Sequence, residues 1–288
     1  MKRLVLLACA LFCVMNFSLF GRADELRVMS YNVLTAHRDD LNAWADRRGN
    51  LVADIQATAP DLLGLQEACK NQLEYIMSSL DGYAFIGVAR DDGREAGEFC
   101  PVIYKTAEFD VLDGGTFWLS ETPTVPGRKG WGAACNRVVS WGLFRAKAND
   151  KVFVYANTHF DHVSEQARGE SSKLILAFKE EISEKYRKEV GKDGLPFIIT
   201  GDFNSVDTDA AYTTIISGLR DAQKEARVRR GGDRTFPAQN PPKKGKYVID
   251  YIFLTDDFTV ESFDIHSDPP AKGPLPSDHY AIDALLSW

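Results

Sequence analysis

Apolar and polar residues alternate along Leu26-Arg27-Val28-Met29-Ser30-Tyr31-Asn32-Val33, a period-2 pattern that predicts a strand emerging at Asn32. From about Trp44 to Thr58 the apolar positions Leu51, Val52 and Ile55 recur at helical spacing, and Pro60 ends the segment before a second strand, Asp61 to Glu67. The same order of strand, helix and strand returns later. Val152 to His159 reads as a strand, Leu174, Ile175, Phe178 and Ile182 form one helical stripe, and Pro196 to Asp202 reads as a further strand. In both units a strand ends on a polar side chain, Asn32 or His159, and the strand after the helix ends on an acid, Glu67 or Asp202. Few identities accompany this echo, so it is structural and not a sequence repeat.

Between the units, Tyr83 to Ile86, Cys100 to Lys105, Phe109 to Leu112 and Val138 to Lys147 read as short strands, with turn signals at Asp91-Asp92-Gly93 and Asp113-Gly114-Gly115. The last third adds a helix near Ala210 to Ser217, a loop rich in Pro and Gly from Gly231 to Gly245, and strands at Tyr247 to Leu254 and His279 to Leu286. An α/β fold in which sheet packs on sheet, with helices on both outer faces, satisfies every apolar stripe.

Leu4 to Phe20 is almost continuously apolar behind Lys2 and Arg3, and Gly21-Arg22-Ala23 has the small-x-small pattern of a cleavage site. Residues 1–23 are expected to be a signal peptide and 24–288 one catalytic domain, exported to the periplasm or the cell exterior. A membrane anchor and a lipid anchor on Cys9 are the alternatives. Once processed, the chain is expected to keep no stable membrane insertion and to be a monomer.

The formal net charge is -7; losing Lys2, Arg3 and Arg22 and no acid brings it to about -10. That argues against a dedicated nucleic-acid binder, because polyanion binding needs clustered cations and the clusters here, Arg227 to Arg230 and Lys243 to Lys246, are small. Cys69, Cys100 and Cys135 would remain, without C-x-x-C spacing, which fits neither a zinc site nor a disulfide scaffold.

Candidate chemistry gathers at the strand ends, the positions a rigid scaffold offers to a ligand. The sharpest segment is Ile198-Ile199-Thr200-Gly201-Asp202-Phe203-Asn204-Ser205, where a buried strand breaks and offers a carboxylate and an amide. Asp202 could orient water and Asn204 could donate to a phosphoryl oxygen; an Asx turn is the plainer reading. His159 is a candidate acid, or a positively charged phosphate donor. Ser277-Asp278-His279 adds a histidine with an adjacent acid, and Asp250 could orient His279. Asn32, Glu67 and Asp278 offer hard oxygen ligands, which suit Mg2+, or Mn2+ as the alternative, better than zinc or copper.

Met29-Ser30-Tyr31-Asn32, Leu65-Gln66-Glu67, Asn157-Thr158-His159-Phe160-Asp161, Gly201-Asp202-Phe203-Asn204, Ile249-Asp250-Tyr251-Ile252 and Ser277-Asp278-His279 together resemble the endonuclease/exonuclease/phosphatase superfamily, in order and over nearly all of 24–288. The resemblance implies a four-layered α/β sandwich of two mixed, mainly antiparallel sheets and a magnesium-dependent phosphodiesterase or phosphatase. It further implies Asn32, Glu67 and Asp278 on the metal side, Asp202 activating water, Asn204 on phosphate, His279 paired with Asp250, and His159 across the scissile group. Trp118 and Trp131 could stack on a base or sugar or else cap the core, and Arg137 could fork onto phosphate. The substrate expected is a small phosphorylated molecule or phosphodiester. A secreted nuclease acting on DNA or RNA, and a non-catalytic binding module on the same fold, stay open.

Overall fold

The structure, a computed structural model, describes residues 24–37, 43–190, 194–237 and 247–288. The expected signal peptide with Cys9, the loop acids Asp39 and Asp40, and the Lys243 to Lys246 cluster lie outside the described residues. No helix among the described residues is long and apolar enough to cross a membrane.

The first unit forms β1 (Glu25–Asn32), α1 (Trp44–Thr58), β2 (Leu62–Gln66) and α2 (Lys70–Ser78). Then come β3 (Tyr83–Ile86), β4 (Val102–Lys105), β5 (Phe109–Trp118) and β6 (Val138–Ala146). The second unit is β7 (Val152–His159), α3 (Glu165–Val190) and β8 (Phe197–Asp202). It is followed by α4 (Ala210–Ile215), β9 (Arg220–Asp221), α5 (Ala222–Glu225), β10 (Val228–Arg230), β11 (Asp250–Leu254), β12 (Thr259–Ile265) and β13 (Ile282–Ser287).

The strands make two sheets, in the orders β10-β12-β13-β1-β2-β4-β3 and β5-β6-β7-β8-β11-β9. Pairing is antiparallel except for β1 with β2, β7 with β8 and β10 with β12. Leu26, Val28, Leu62 and Ile282 from one sheet and Phe144, Phe153, Ile198 and Ile252 from the other fill the space between them. Leu51 and Ile55 of α1 and Leu73 and Ile76 of α2 cover the outer face of the first sheet; Ile175 and Ile182 of α3 and Tyr212 of α4 cover that of the second. This is the expected four-layered sandwich.

Three expected elements differ. β5 runs on through Asp113-Gly114-Gly115, which reads as a turn, because a register shift between Val111 and Asp113 absorbs the extra residue. Asp250 opens β11 where a mid-strand place was expected, and His279 precedes β13, so the bend needed to bring Asp278 and His279 to one place lies in the loop.

Under the ends of β2 and β7 the interior is polar. Asn157 donates to Leu65 O at 2.7 Å and Pro101 O at 3.0 Å, and its Oδ1 accepts from Gln66 Nε2 at 2.7 Å and Thr200 Oγ1 at 3.0 Å. A Cβ on Gly64 would come within 2.3 Å of Thr200 Oγ1 and 2.4 Å of Asn157 Oδ1, so only glycine fits beneath this network. Each bond crosses from sheet to sheet or strand to strand and fixes their relative height. Asn157→Ala leaves several buried partners unsatisfied and is expected to cost ~3 kcal/mol in urea unfolding, with an unchanged slope against denaturant.

His266 ties the last sheet strand to α1: Nδ1 lies 2.7 Å from Asp54 Oδ1 and Nε2 2.9 Å from Asp283 Oδ2. Burial works against its charge, but the bonds to Asp283 and Asp54 prevail and lift the imidazole to about 10. The folded value exceeds the unfolded value of about 6.5, so this stabilisation is complete below about pH 6.5 and is lost as pH rises through about 10. Urea unfolding of His266→Ala is expected to show a deficit of ~2 kcal/mol at pH 6 that shrinks markedly by pH 10.

Candidate active site

Parallel neighbours end on the same edge of a sheet. Asn32 therefore emerges beside Gln66 and Glu67, and His159 emerges in register with Asp202. Antiparallel β11 places Asp250 opposite Asp202. The two sheets face each other, and Asn32 Nδ2 closes the gap by donating to Glu67 Oε1 and to Asp202 Oδ2, both at 3.0 Å. Ser277 Oγ donates to Asn32 O at 2.6 Å and accepts from His279 N at 3.2 Å, which anchors the last loop on β1.

His279 Nδ1 is 2.8 Å from Asp250 Oδ2, and its Nε2 is 3.6 Å from Asp202 Oδ2; the Phe236 ring lies against its face, 4.6 Å between centroids. His159 Nε2 lies 3.5 Å from Asp202 Oδ2 and 3.1 Å from Asn204 Nδ2. Asn204 also donates to Phe160 O at 3.0 Å, and its backbone N–H reaches Asp202 Oδ1 at 2.9 Å. Asn32, His159, Asp202, Asp250 and His279 are buried, whereas Glu67, Asn204 and Asp278 keep partial access to solvent and line the mouth. Glu67 and Asn204 have φ of 62° and 46°. A glutamate pays steric strain there, and strain of this kind is held where geometry serves a site. For Glu67 the turn lets Oε2 accept from Thr35 N at 3.0 Å while Oε1 accepts from Asn32.

Burial and the neighbouring Asp250 push the Asp202 carboxyl up to about 7, against the pull of His279. Burial disfavours charge on His279 too, but Asp250 and Asp202 outweigh it and lift the ring to about 10. Burial, and then Arg137 and Arg90, hold His159 well below the usual histidine range. Burial and the charge of Glu67 raise Asp278.

All the expected strand-end residues come together, but two of them, Asn32 and His159, are placed differently from expectation, and Trp118 and Arg137 do not offer a ligand surface. Asn32 turns its amide hydrogens to the carboxylates and its Oδ1 to Leu34 N at 3.1 Å, so it holds the acids in place and does not present its oxygen beside them. His159 is neutral, because burial and two arginines oppose its charge; the cationic histidine is His279. Trp118 is 4% exposed, gives its indole N–H to Arg90 O at 2.7 Å and packs with Cys100 and Val138, so it caps a core cluster and has no face to stack on a ligand. Arg137 is also enclosed, with Nη2 on His162 Nδ1 at 3.1 Å and Nε turned to Asp161 Oδ2 at 3.6 Å, a poor posture for an open phosphate fork. Trp131 is half-buried in a loop at φ 49°.

Sequence reasoning missed Gln66, Asn157, Ser277 and the Arg90–Glu98 pair at 2.5 Å, which supplies part of the positive potential at His159. The first three lie inside or beside the motifs already quoted. Arg90 carries no comparable signal. The Arg227 to Arg230 cluster sits on the edge of the first sheet, where Arg227 pairs with Glu261 at 2.7 Å and Arg230 with Asp264 at 2.8 Å. Cys69, Cys100 and Cys135 are all unpaired thiols.

The donor set fits a hard divalent cation. Glu67 and Asp278 are part-exposed carboxylates close enough for the charge of one to raise the other, a repulsion that a cation between them would relieve. Ligating atoms of Asp202, Asp250 and His279 also lie within 4.8 Å of one another. In that trio His279 Nδ1 is bonded to Asp250 Oδ2 at 2.8 Å, which leaves Nε2 as its free ring nitrogen.

The model of the Endonuclease/Exonuclease/phosphatase family matches residues 29–279. An endonuclease/exonuclease/phosphatase from Bacteroides vulgatus is 37% identical, with a TM-score of 0.82 over 91% of this chain and 98% of that one. A mannosyl-6-phosphatase of Bacteroides thetaiotaomicron is 35% identical, with a TM-score of 0.82 over 91% of this chain and all 100% of that one. The human nocturnin catalytic domain, solved with a bound sulfate anion, shares the fold at 19% identity and a TM-score of 0.69 over 91% of this chain and 94% of that one. No curated protein sequence matches the chain.

Proposed function

Because the chain belongs to the endonuclease/exonuclease/phosphatase family, we propose that it is an exported, divalent-metal-dependent hydrolase of phosphoester bonds whose preferred substrate is a small phosphorylated molecule, a sugar phosphate foremost. The observation that carries this reading is the meeting of groups at Asp202: its carboxylate shares the Asn32 amide with Glu67 and lies 3.6 Å from His279 Nε2, while the charge of Glu67 reaches Asp278. A phosphoryl group carries anionic oxygens that need cations on every side, and its attack by water needs a base.

In this reading Asp202 accepts the proton of the attacking water as the new P–O bond forms, and a base poised near neutrality suits that task. The bond from phosphorus to the leaving oxygen breaks, that oxygen takes a proton from solvent water and departs as an alcohol, and Asp202 returns its proton to solvent. His279, kept charged by Asp250, faces the developing negative charge on the phosphoryl oxygens. Asn204 exchanges its bond to His159 for a phosphoryl oxygen. A Mg2+ or Mn2+ ion held by Glu67 and Asp278 would add Lewis-acid stabilisation of the phosphoryl and leaving oxygens.

The preference for a small substrate rests on charge. The net charge is -7, and Arg227 and Arg230, at the β10 edge, are spent on Glu261 and Asp264. The sugar phosphate reading draws on the mannosyl-6-phosphatase similarity. Asp202→Asn protein is expected to bind long duplex DNA weakly near physiological salt, with a salt slope of fewer than about three phosphate contacts. Submicromolar binding with about five or more contacts would put a nuclease in front.

A further inference from the structure

The turn after β7 carries a second histidine, which the reaction above leaves unused. Its surroundings are built from Asp161, a buried carboxylate that accepts four backbone N–H groups: Ala134 at 2.9 Å and Cys135 at 3.2 Å on Oδ2, Val163 at 3.0 Å and Ser164 at 2.9 Å on Oδ1. Burial raises this carboxyl, but the four bonds prevail and hold it at about 2, so it stays an anion. Arg137 lies against it, 4% exposed, and gives Nη2–H to His162 Nδ1 at 3.1 Å. A guanidinium only donates. His162 Nδ1 is therefore the acceptor, and the ring carries its proton on Nε2.

His162 itself is exposed and lies just beyond His159, the last residue of β7. The same Asp161 fastens the loop that carries Trp131, whose backbone N–H is donated to Glu121 Oε1 at 3.2 Å and whose carbonyl accepts from Ser164 Oγ at 2.9 Å. The turn with His162 and the loop with Trp131 are thus fastened together at the β7 end of the sheet, and between them they carry a one-way N–H donor and a part-exposed aromatic side chain. A hydroxylated ring needs both, since its oxygens accept hydrogen bonds and its C–H face packs on an aromatic surface.

We propose that His162 and Trp131 form the leaving-group subsite, which recognises the hydroxylated ring of a sugar phosphate, with Arg137 and Asp161 as positioning residues that fix the tautomer of His162 and the loop of Trp131. This rests on the hydrolase reading above and adds the part of the substrate that the reacting groups do not touch.

The test uses three readouts on the full-length protein. Nitrogen-15 spectra of the histidine rings are expected to show His162 as the Nε2–H tautomer in wild type and a mixed tautomer in Arg137→Gln; an Nδ1–H or fully protonated ring in wild type overturns the proposal. Calorimetry on the Asp202→Asn protein is expected to show mannose 6-phosphate binding at least tenfold tighter than inorganic phosphate, with that margin lost in the double variants carrying His162→Ala or Trp131→Ala. Equal affinity for the two probes, or an unchanged margin, overturns it. In turnover, His162→Ala is expected to lower kcat/KM for mannose 6-phosphate at least tenfold more than for p-nitrophenyl phosphate, and equal losses would make His162 part of the reacting machinery and overturn the subsite. If wild type hydrolyses neither compound, the hydrolase reading fails by itself, while the spectra and the binding margin still decide for or against the subsite.

Discussion

Asp202→Asn is expected to lower kcat by about 10²-fold or more while the protein stays folded, or grows slightly more stable. Asp202 is 2% exposed and in register with both His159 and Asp250. Its carboxyl is pushed up to about 7 by burial and by Asp250, so the charged form is the one the fold resists. Asparagine keeps the shape and the acceptor for Asn204 N, gives up the bond from Asn32 Nδ2, and removes both the charge and the proton acceptor. A residue that held the sheet together would lose stability on this change. One that serves the reaction should instead gain it as turnover falls, the usual trade at sites that store electrostatic strain. Thermal unfolding measured alongside steady-state turnover separates the two. Near-normal turnover in folded Asp202→Asn would remove the residue from the chemistry.

Glu67→Gln carries the second large effect. Its carboxylate stands at φ 62° with one oxygen on Asn32 and the other on Thr35 N, and its charge raises Asp278. Glutamine keeps the length but loses the charge that attracts a divalent ion. Magnesium affinity is expected to fall roughly 10- to 100-fold, with turnover falling alongside at limiting magnesium. Asp250→Asn is the control, because Asp250 belongs to the other ligand-capable group. Calorimetric titration in which Asp250→Asn loses magnesium and Glu67→Gln does not would move the ion to the Asp202, Asp250 and His279 trio.

The strand-end chemistry was legible because period-2 runs terminate on polar residues, and a terminus is a position that pattern reveals. Asn32, Glu67, His159 and Asp202 were found this way, and the parallel pairing of their strands brought them together. What the pattern could not carry was direction and protonation. Nothing local says that Asn32 turns its nitrogen to the acids, or that burial and then Arg137 and Arg90 hold His159 well below the usual histidine range. Trp118 resembles a ligand platform in sequence and is a core cap in space, because its indole N–H finds Arg90 O. Elements were lost where alternation breaks. β12 went unread because its register shifts between Val260 and Ser262, and α2 because its buried stripe of Gln72, Leu73 and Ile76 is too short to stand out. The polar layer of Gln66 and Asn157 was hidden because amides within apolar strands look like errors until both sheets are present.

The central claim is that water attacks phosphorus at this site with the help of a divalent ion. Hydrolysis of mannose 6-phosphate in oxygen-18 water, by protein stripped with chelator and then given magnesium, tests it most directly. The expected result is oxygen-18 in the released phosphate, none in the sugar, and release only after magnesium is restored. Label in the sugar hydroxyl, or equal release by the stripped protein, would contradict the assignment of Asp202, His279 and the Glu67–Asp278 pair.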